Sequence, residues 1–358
     1  MFHFVICNMY IFYTYQVNIF LMVTKNGLTH TPYTYRKCKL DLKLHTIIKG
    51  YCMKKVGVIV NLNSRKYKLA KKHPEGVFEK IGQDSVIVKY TKSIEEIVDV
   101  AREFKKTGID YIAPSGGDGT LHHVITQFAK VYNNNLPPIL ILKGGTMNNV
   151  ANSINLKGDA ESILQRAVIA INNGKYINVV DRKTMVIDNN HCFLFGNGLV
   201  ADFLETYYSI GKSYTKLVGL IFSSIYEALA NQQSHLFKGF EGNIKCDAES
   251  MPYSRVLGIL AGTVETIGMG FYPLYRANEH KDKFHTIVCA MKPGKLAKNV
   301  LKLKNGTPIN HKDYIEKVVS TIEIHSTKPF MYTMDGDLYR CDGSLIVSVG
   351  IRVPFIIV

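Results

Sequence analysis

The sequence predicts an α/β domain built on a parallel sheet, followed by a mainly β-sandwich domain. Three observations predict it. Between residues 56 and 142, short apolar runs alternate with segments of helical period across short links, the pattern of a parallel α/β sheet. Two of those runs lead directly into glycine-rich loops. Beyond residue 172 the texture changes to many short apolar runs with turn signals, which reads as a sandwich or barrel. The expected division is a 1–52 extension, a 53–172 α/β domain and a 173–358 sandwich domain. The last strand is a candidate to return to the first domain.

Residues 56–61 read as a short buried strand, followed by a basic loop, Asn63-Ser64-Arg65-Lys66. Residues 86–90 are a second strand. Ile94, Ile97, Val98, Ala101 and Phe104 recur at helical spacing, with Ser93 as N-cap and Gly108 as the stop. Residues 111–113 form a third strand, 121–132 a helix and 139–142 a fourth strand. A helix over 160–171 closes near Gly174. Strands are then expected over 176–187, 191–195, 255–261, 285–290, 318–325, 330–334 and 344–349. One helix interrupts them, with Tyr214, Leu217, Val218, Ile221, Ile225 and Leu229 in an apolar stripe. That stripe faces either a core or a lipid entrance, with Lys212 and Lys216 beside it.

Residues 1–23 contain no Lys, Arg, Asp or Glu, and the stretch could just span a bilayer. Lys25, Arg36, Lys37, Lys39 and Lys43 follow it, which would keep the body cytoplasmic. His3, Asn8, Gln16, Asn18 and several tyrosines make it a poor hydrocarbon helix, and Met53 offers a second start just before the first strand. The expectation is that residues 1–52 are disordered or an upstream extension.

The hydrophobic fraction of 46% supports a substantial core, and 20% charged residues argue against disorder. The net charge of +15 draws the chain towards polyanions, whether headgroups, nucleotide phosphates or nucleic acid. No Lys/Arg run of nucleic-acid type stands out. Seven cysteines, with no C-x-x-C pair, argue against a disulfide framework or a cysteine zinc site and fit a reducing compartment.

The first glycine loop, Gly116-Gly117-Asp118-Gly119-Thr120, follows a strand and precedes a helix. Glycines let backbone N–H groups approach a phosphate, and the helix N-terminus adds favourable partial charge. Asp118 would repel a phosphate unless a metal bridges the two or the carboxylate meets a hydroxyl. Otherwise it only caps a turn. The second loop is Gly144-Gly145-Thr146-Met147-Asn148. Both loops should leave the carboxyl edge of the sheet, where ligands bind, and Arg65 and Lys66 should reach the same edge.

These residues resemble the diacylglycerol kinase catalytic-domain family, which includes bacterial lipid kinases and sphingosine and ceramide kinases. The similarity runs from about Lys54 to the C-terminus. Asn61-Leu62-Asn63-Ser64 resembles the family's first nucleotide loop, and Thr91 stands at a nucleotide-contacting Thr. Gly196 to Asp202 resembles G-x-G-x-x-A-D, whose Asp meets the lipid headgroup in sphingosine kinases. Gly268-Met269-Gly270, Pro273 and Asp282 resemble G-G-G…P…D-G, and Asp335-Gly336-Asp337 resembles D-G-E. The sequence departs from the pattern at His123 where the family has Glu, Asn149 where it has Asp, and Asp337 where it has Glu. It departs also at Leu62 and Arg65 where the family has Pro and Gly, and at Lys283 and His285 beside Asp282 where it has Gly and Asp.

The resemblance implies transfer of the ATP γ-phosphoryl group to a lipid hydroxyl, with Mg²⁺. Asn61, Ser64, Arg65, Lys66, Thr91, Gly116, Gly117, Gly119, Thr120, Gly145, Thr146 and Asn148 are the nucleotide candidates. Asp118 and Asp337 are the candidate catalytic carboxylates, one for the proton and one for Mg²⁺, without individual assignment. Asp335 is carried with them, although a turn-forming or supporting role suits it as well. Asp202 would orient the acceptor. Glu279 and Asp282, with the Phe284 carbonyl, are the candidate structural metal ligands.

The expected partner is a lipid at a membrane surface, with the protein peripheral to the inner face, no nucleic acid, and a homodimer left open. The alternatives are an NAD kinase, which shares GGDGT, and a nucleotide- or lipid-binding protein whose catalytic residues have drifted.

Overall fold

The first half of the chain alternates strand and helix: β1 (Val56–Asn61), α1 (Val77–Gly82), β2 (Val86–Thr91), α2 (Ile94–Thr107), β3 (Tyr111–Gly116), α3 (Asp118–Val131), β4 (Leu142–Lys143), α4 (Asn149–Ser153) and α5 (Ala160–Asn172). The structure is a computed structural model that describes residues 54–64, 67, 76–175, 177–211, 213–230 and 234–358. The expectations for residues 1–52, and for Arg65, Lys66 and Lys212, lie outside the described residues. Lys54–Val358 clusters as one unit.

The four strands pair in parallel in the order β2-β1-β3-β4. α2 shows how local sequence sets the layer. Ser93 caps it by accepting from the Glu96 N–H at 3.3 Å, and Gly108 ends it in the left-handed region at φ 71°. Ile97, Val100, Ala101 and Phe104 face the core. Phe104 lies so close to β1 that a Cβ on Gly57 would fall 2.3 Å from its ring. Burying that ring stabilises the layer by about 1.5–3 kcal/mol.

The second half is mostly antiparallel. Its elements are β5 (Asn178–Ile187), β6 (Asn190–Cys192), β7 (Leu194–Gly198), α6 (Leu199–Ser209), α7 (Tyr214–Leu229), β8 (Phe240–Glu241), β9 (Asn243–Cys246), β10 (Glu249–Ser250), β11 (Arg255–Val256), β12 (Gly258–Gly262) and β13 (Phe284–Cys289). Then come α8 (Pro293–Ala297), α9 (Val300–Asn305), β14 (Tyr314–Val319), β15 (Thr321–His325), β16 (Phe330–Met334), β17 (Asp337–Cys341) and β18 (Ser344–Ile357). Two six-stranded sheets form, β10-β9-β15-β18-β5-β6 and β14-β13-β12-β7-β16-β17. Met185, Phe195, Ile259, Phe284, Ile322 and Val347 pack in the core they share. The four described cysteines, Cys192, Cys246, Cys289 and Cys341, are buried and unpaired.

β18 serves both halves. Its early residues pair with β15, and its register with β5 shifts between Val349 and Arg352. Beyond that shift, Val353, Phe355 and Ile356 join the core of the α/β half. The Ile139 N–H donates to the Pro354 carbonyl at 2.7 Å, and the Ile356 N–H donates to the Ile139 carbonyl at 2.9 Å.

Several elements differ from the sequence expectation. α3 begins at Asp118, so the loop's Asp-Gly-Thr forms the first helical turn. The strand expected over 191–195 is broken into β6 and β7, because the Phe193 and Leu194 N–H groups donate to the Asp335 carboxylate instead of to a neighbouring strand. Of the six residues in the α7 stripe, Leu217 alone is buried. No described helix is long and apolar enough to cross a membrane.

Candidate functional site

Strand register brings the expected loops to one edge. Val60 lies opposite Ser115, Asn61 opposite Thr91, and Gly116 opposite Lys143. The turns after β1, β3 and β4 therefore leave the sheet side by side at its carboxyl ends, where an open α/β sheet binds ligands.

The two glycine loops touch backbone to backbone. The Gly144 N–H donates to the Gly116 carbonyl at 2.8 Å. A Cβ on Gly145 would fall 2.4 Å from the Gly117 Cα. The glycines at these positions are thus required by the contact between loops, which keeps the first-turn N–H groups of α3 beside the second loop. Gly119 and Thr120 occupy that first turn, whose N–H groups have no intrahelical acceptor. Asn61 ties the first loop in by donating to Thr120 Oγ1 at 2.8 Å. Asn148 closes the second loop on itself, accepting from the Gly145 N–H at 3.1 Å and donating to the Gly145 carbonyl at 2.9 Å. Thr146 lies within that loop.

Ser64 and Thr91 are buried beneath the edge. Ser64 Oγ has no hydrogen-bond partner among the described residues. The Thr91 carbonyl accepts from the Leu62 N–H at 3.0 Å, so this residue shapes the first loop from below.

The three carboxylates have different surroundings. Asp118 accepts from the Asn149 N–H at 3.0 Å and the Val150 N–H at 3.4 Å, capping α4. Burial raises its pKa, and those N–H groups partly offset the rise. Asp335 is closed in, accepting from the Phe193 and Leu194 N–H groups. Burial, with Asp118 next, pushes its pKa well above the usual carboxylate range. Of the three it is the enclosed one, and it holds the turn before β17, with its own φ at 49°, the supporting role that the sequence also suits.

Asp337, two residues on, is open, with 44% of its side chain exposed. Its Oδ2 lies 3.2 Å from His123 Nε2. It also hangs over the first turn of α3, where a Cβ on Gly119 would lie 3.0 Å from the same oxygen. His122 is buried and bridges the halves, from the His191 carbonyl at 2.6 Å to Tyr339 Oη at 3.1 Å. Burial lowers its pKa to about 4, so it is a neutral structural ring.

Asp202 is half-buried on α6, its pKa raised to about 6 by burial and then by Glu205. On the same helix, Tyr208 Oη donates to the Gly336 carbonyl, joining α6 to the Asp335–Asp337 turn. From the sandwich side, Gly268, Met269 and Gly270 carry φ of 101°, 51° and 72°. A Cβ on Gly268 would meet Met147 Sδ of the second glycine loop at 2.7 Å.

The structural metal expectation is corrected. Glu279 is held by Arg276 through two hydrogen bonds of 2.6 and 2.8 Å. Asp282 pairs with Arg352 at 2.6 Å. Between them the Lys183 ammonium donates to the Ala277 carbonyl at 3.0 Å and the His280 carbonyl at 2.5 Å. The cation in this loop is a lysine, and both carboxylates are neutralised by arginine. Among the described residues no group of three His, Cys, Asp or Glu side chains could hold a metal.

Sequence reasoning missed the His123–Asp337 contact and the Tyr208 link. The signal for the first was present, since both His123 and Asp337 depart from the family pattern.

An open parallel sheet with interlocked glycine loops at its carboxyl edge, faced by a carboxylate turn from the antiparallel half, is a diacylglycerol kinase-like fold. Residues 55–179 match the family model described as the diacylglycerol kinase catalytic domain. Solved structures agree in fold. A candidate diacylglycerol kinase from Bacillus anthracis str. Sterne is 17% identical, with a TM-score of 0.63, over 85% of this chain and 97% of that one. A second candidate from the same organism is also 17% identical, with a TM-score of 0.61 at the same coverage of 85% and 97%. A diacylglycerol kinase from that organism is 15% identical, with a TM-score of 0.59, again over 85% and 97%. No curated protein matches the chain.

Proposed function

We propose that the protein transfers the γ-phosphoryl group of ATP to the hydroxyl of a lipid, of diacylglycerol or sphingoid type, presented at a membrane surface. The observation that carries this reading is Asp337: a half-exposed carboxylate oriented by His123 above the first turn of α3. Phosphoryl transfer asks a protein for positioning and charge stabilisation. The N–H groups of the first turn of α3 and the second glycine loop hold the phosphates. Asn61 and Asn148 keep the loops in register.

Asp337 accepts the proton of the lipid hydroxyl as its oxygen attacks the γ-phosphorus, and ADP leaves with the bridging oxygen. Asp202 orients the acceptor from α6. Mg²⁺ arriving with the nucleotide would neutralise phosphate charge. Asp118 is the better carboxylate for it, because Asp337 already faces a histidine.

The test is transfer from γ-labelled ATP with Mg²⁺ to a mixed-micelle panel of lipid alcohols, with NAD in a parallel tube. The expected result is an organic-soluble labelled product that is lost in Asp118→Asn and Asp337→Asn. Label in NADP would replace this reading with an NAD kinase. ATP binding without transfer to any acceptor would make the protein a drifted nucleotide-binding module.

A further inference from the structure

We propose that α7 and the lysine-rich α8–α9 segment form the face by which the protein docks on an anionic lipid bilayer. The inference rests on the lipid-kinase reading for its choice of occupant and adds to it a surface. α7 is too apolar for an ordinary solvated helix, yet only Leu217 and Ala228 are buried. Phe222 is 69% exposed, Tyr226 66% and Leu229 51%. Their spacing of four and then three places them on one face.

α8 packs against the end of α7, where a Cβ on Gly294 would lie 2.9 Å from the Ala228 carbonyl oxygen. Residues 292–304 carry Lys292, Lys295, Lys298, Lys302 and Lys304, all exposed, and no Asp or Glu. None of the five pairs with a carboxylate among the described residues. Leu301, 68% exposed, sits between them.

An exposed apolar stripe beside lysines with no carboxylate partner is the composition of an interfacial membrane-binding surface, with rings entering the headgroup boundary and ammonium groups meeting lipid phosphates. The same charge argues against a second copy as occupant, since a two-fold contact through this face would bring lysines against lysines. The surface is connected to the site through α6. α7 follows α6, and α6 is joined to the Asp337 turn through Tyr208 and Gly336.

The test is flotation of the full chain with vesicles of phosphatidylglycerol and phosphatidylcholine, against phosphatidylcholine alone, without ATP or acceptor. Two double variants are compared, Phe222→Ser with Tyr226→Ser, and Lys295→Glu with Lys302→Glu. The protein is expected to float with the anionic vesicles only, and each double variant to partition about tenfold less, the order expected for losing two surface anchors. Turnover of a short-chain, water-dispersed acceptor should stay unchanged in both. Failure of the unaltered protein to bind anionic vesicles would overturn the proposal, as would unchanged binding by the variants. Self-association abolished by the variants would transfer the face to a second copy. Vesicle binding that persists when no acceptor is phosphorylated would leave the docking face standing and remove the kinase reading alone.

Discussion

His123 and Asp337, from opposite halves of the fold, meet at 3.2 Å over the first turn of α3. Both are positions where the sequence departs from the pattern it resembles, and in the fold they are each other's neighbours. A further departure, Asn149, lies at the start of α4 with its N–H on Asp118.

Removing the charge from Asp337 should therefore remove the proton acceptor and leave the nucleotide loops alone. Asp337→Asn should lower kcat by about 10²–10⁴-fold, the usual worth of a positioned general base. ATP affinity should remain near normal. His123→Gln keeps a polar partner and should cost less, about tenfold, the scale of a weakened hydrogen bond. Steady-state kinetics with calorimetric ATP titration checks both, and an equal loss in the two variants would mean that His123 itself takes the proton.

Gly145 has no room for a side chain. In Gly145→Ala the new Cβ would meet the Gly117 Cα at 2.4 Å, a clash with backbone that no rotamer relieves. The loops must separate, taking the second loop away from the first turn of α3. ATP binding should weaken by more than about tenfold, since roughly 1.4 kcal/mol suffices for that factor. Titration calorimetry decides it.

The lysine-filled loop predicts how stability responds to metal removal. EDTA should leave the unfolding midpoint of the nucleotide-free protein unchanged. Lys183→Met should lower stability by about 1.5–3 kcal/mol, because two carbonyls lose a charged donor. Denaturant unfolding with and without EDTA reads both effects. A midpoint that falls on chelation would restore a metal to this loop.

Acid should destabilise the fold through three buried imidazoles. Burial lowers the pKa of His122, His191 and His285 to about 4, from an ordinary value of 6.5. Between those values the unfolded chain binds protons that the folded chain does not. The stabilisation from neutral imidazole is thus complete above pH 6.5 and is lost as pH falls towards 4. The buried Asp335 works in the opposite sense, since its raised pKa favours the folded state at acid pH. His285→Phe removes one imidazole and keeps the aromatic contact with Tyr275. Its denaturation midpoint should fall less steeply than that of the unaltered protein as the pH is lowered from 6.5 to 4.5.

Local signals were legible where the sequence carries its own partners. Ser93 and Gly108 bound α2 as expected because cap and helix are neighbours in the chain. The glycine loops were legible for a similar reason: strand, loop and helix follow one another. The break at Phe193 was not legible, since its cause, Asp335, lies 142 residues away. The last strand was expected over 344–349. It continues to Ile357, its far end pairing with Ile139 in the first half, the return for which the last strand was a candidate. Glu279 and Asp282 entered as candidate ligands through the family resemblance, and the arginines they pair with come from elsewhere in the fold as well as from nearby.

The return of β18 to the α/β half reorders events during synthesis. The glycine loops and their sheet leave the ribosome first, yet Ile139 obtains its outer neighbour only when residues 354–356 have been made. The α/β half is completed only by residues 354–356, so nascent chains should expose the flank beside Ile139 until those residues have emerged. A chain that stalls within the sandwich would carry both glycine loops on a sheet still open to any strand that reaches it.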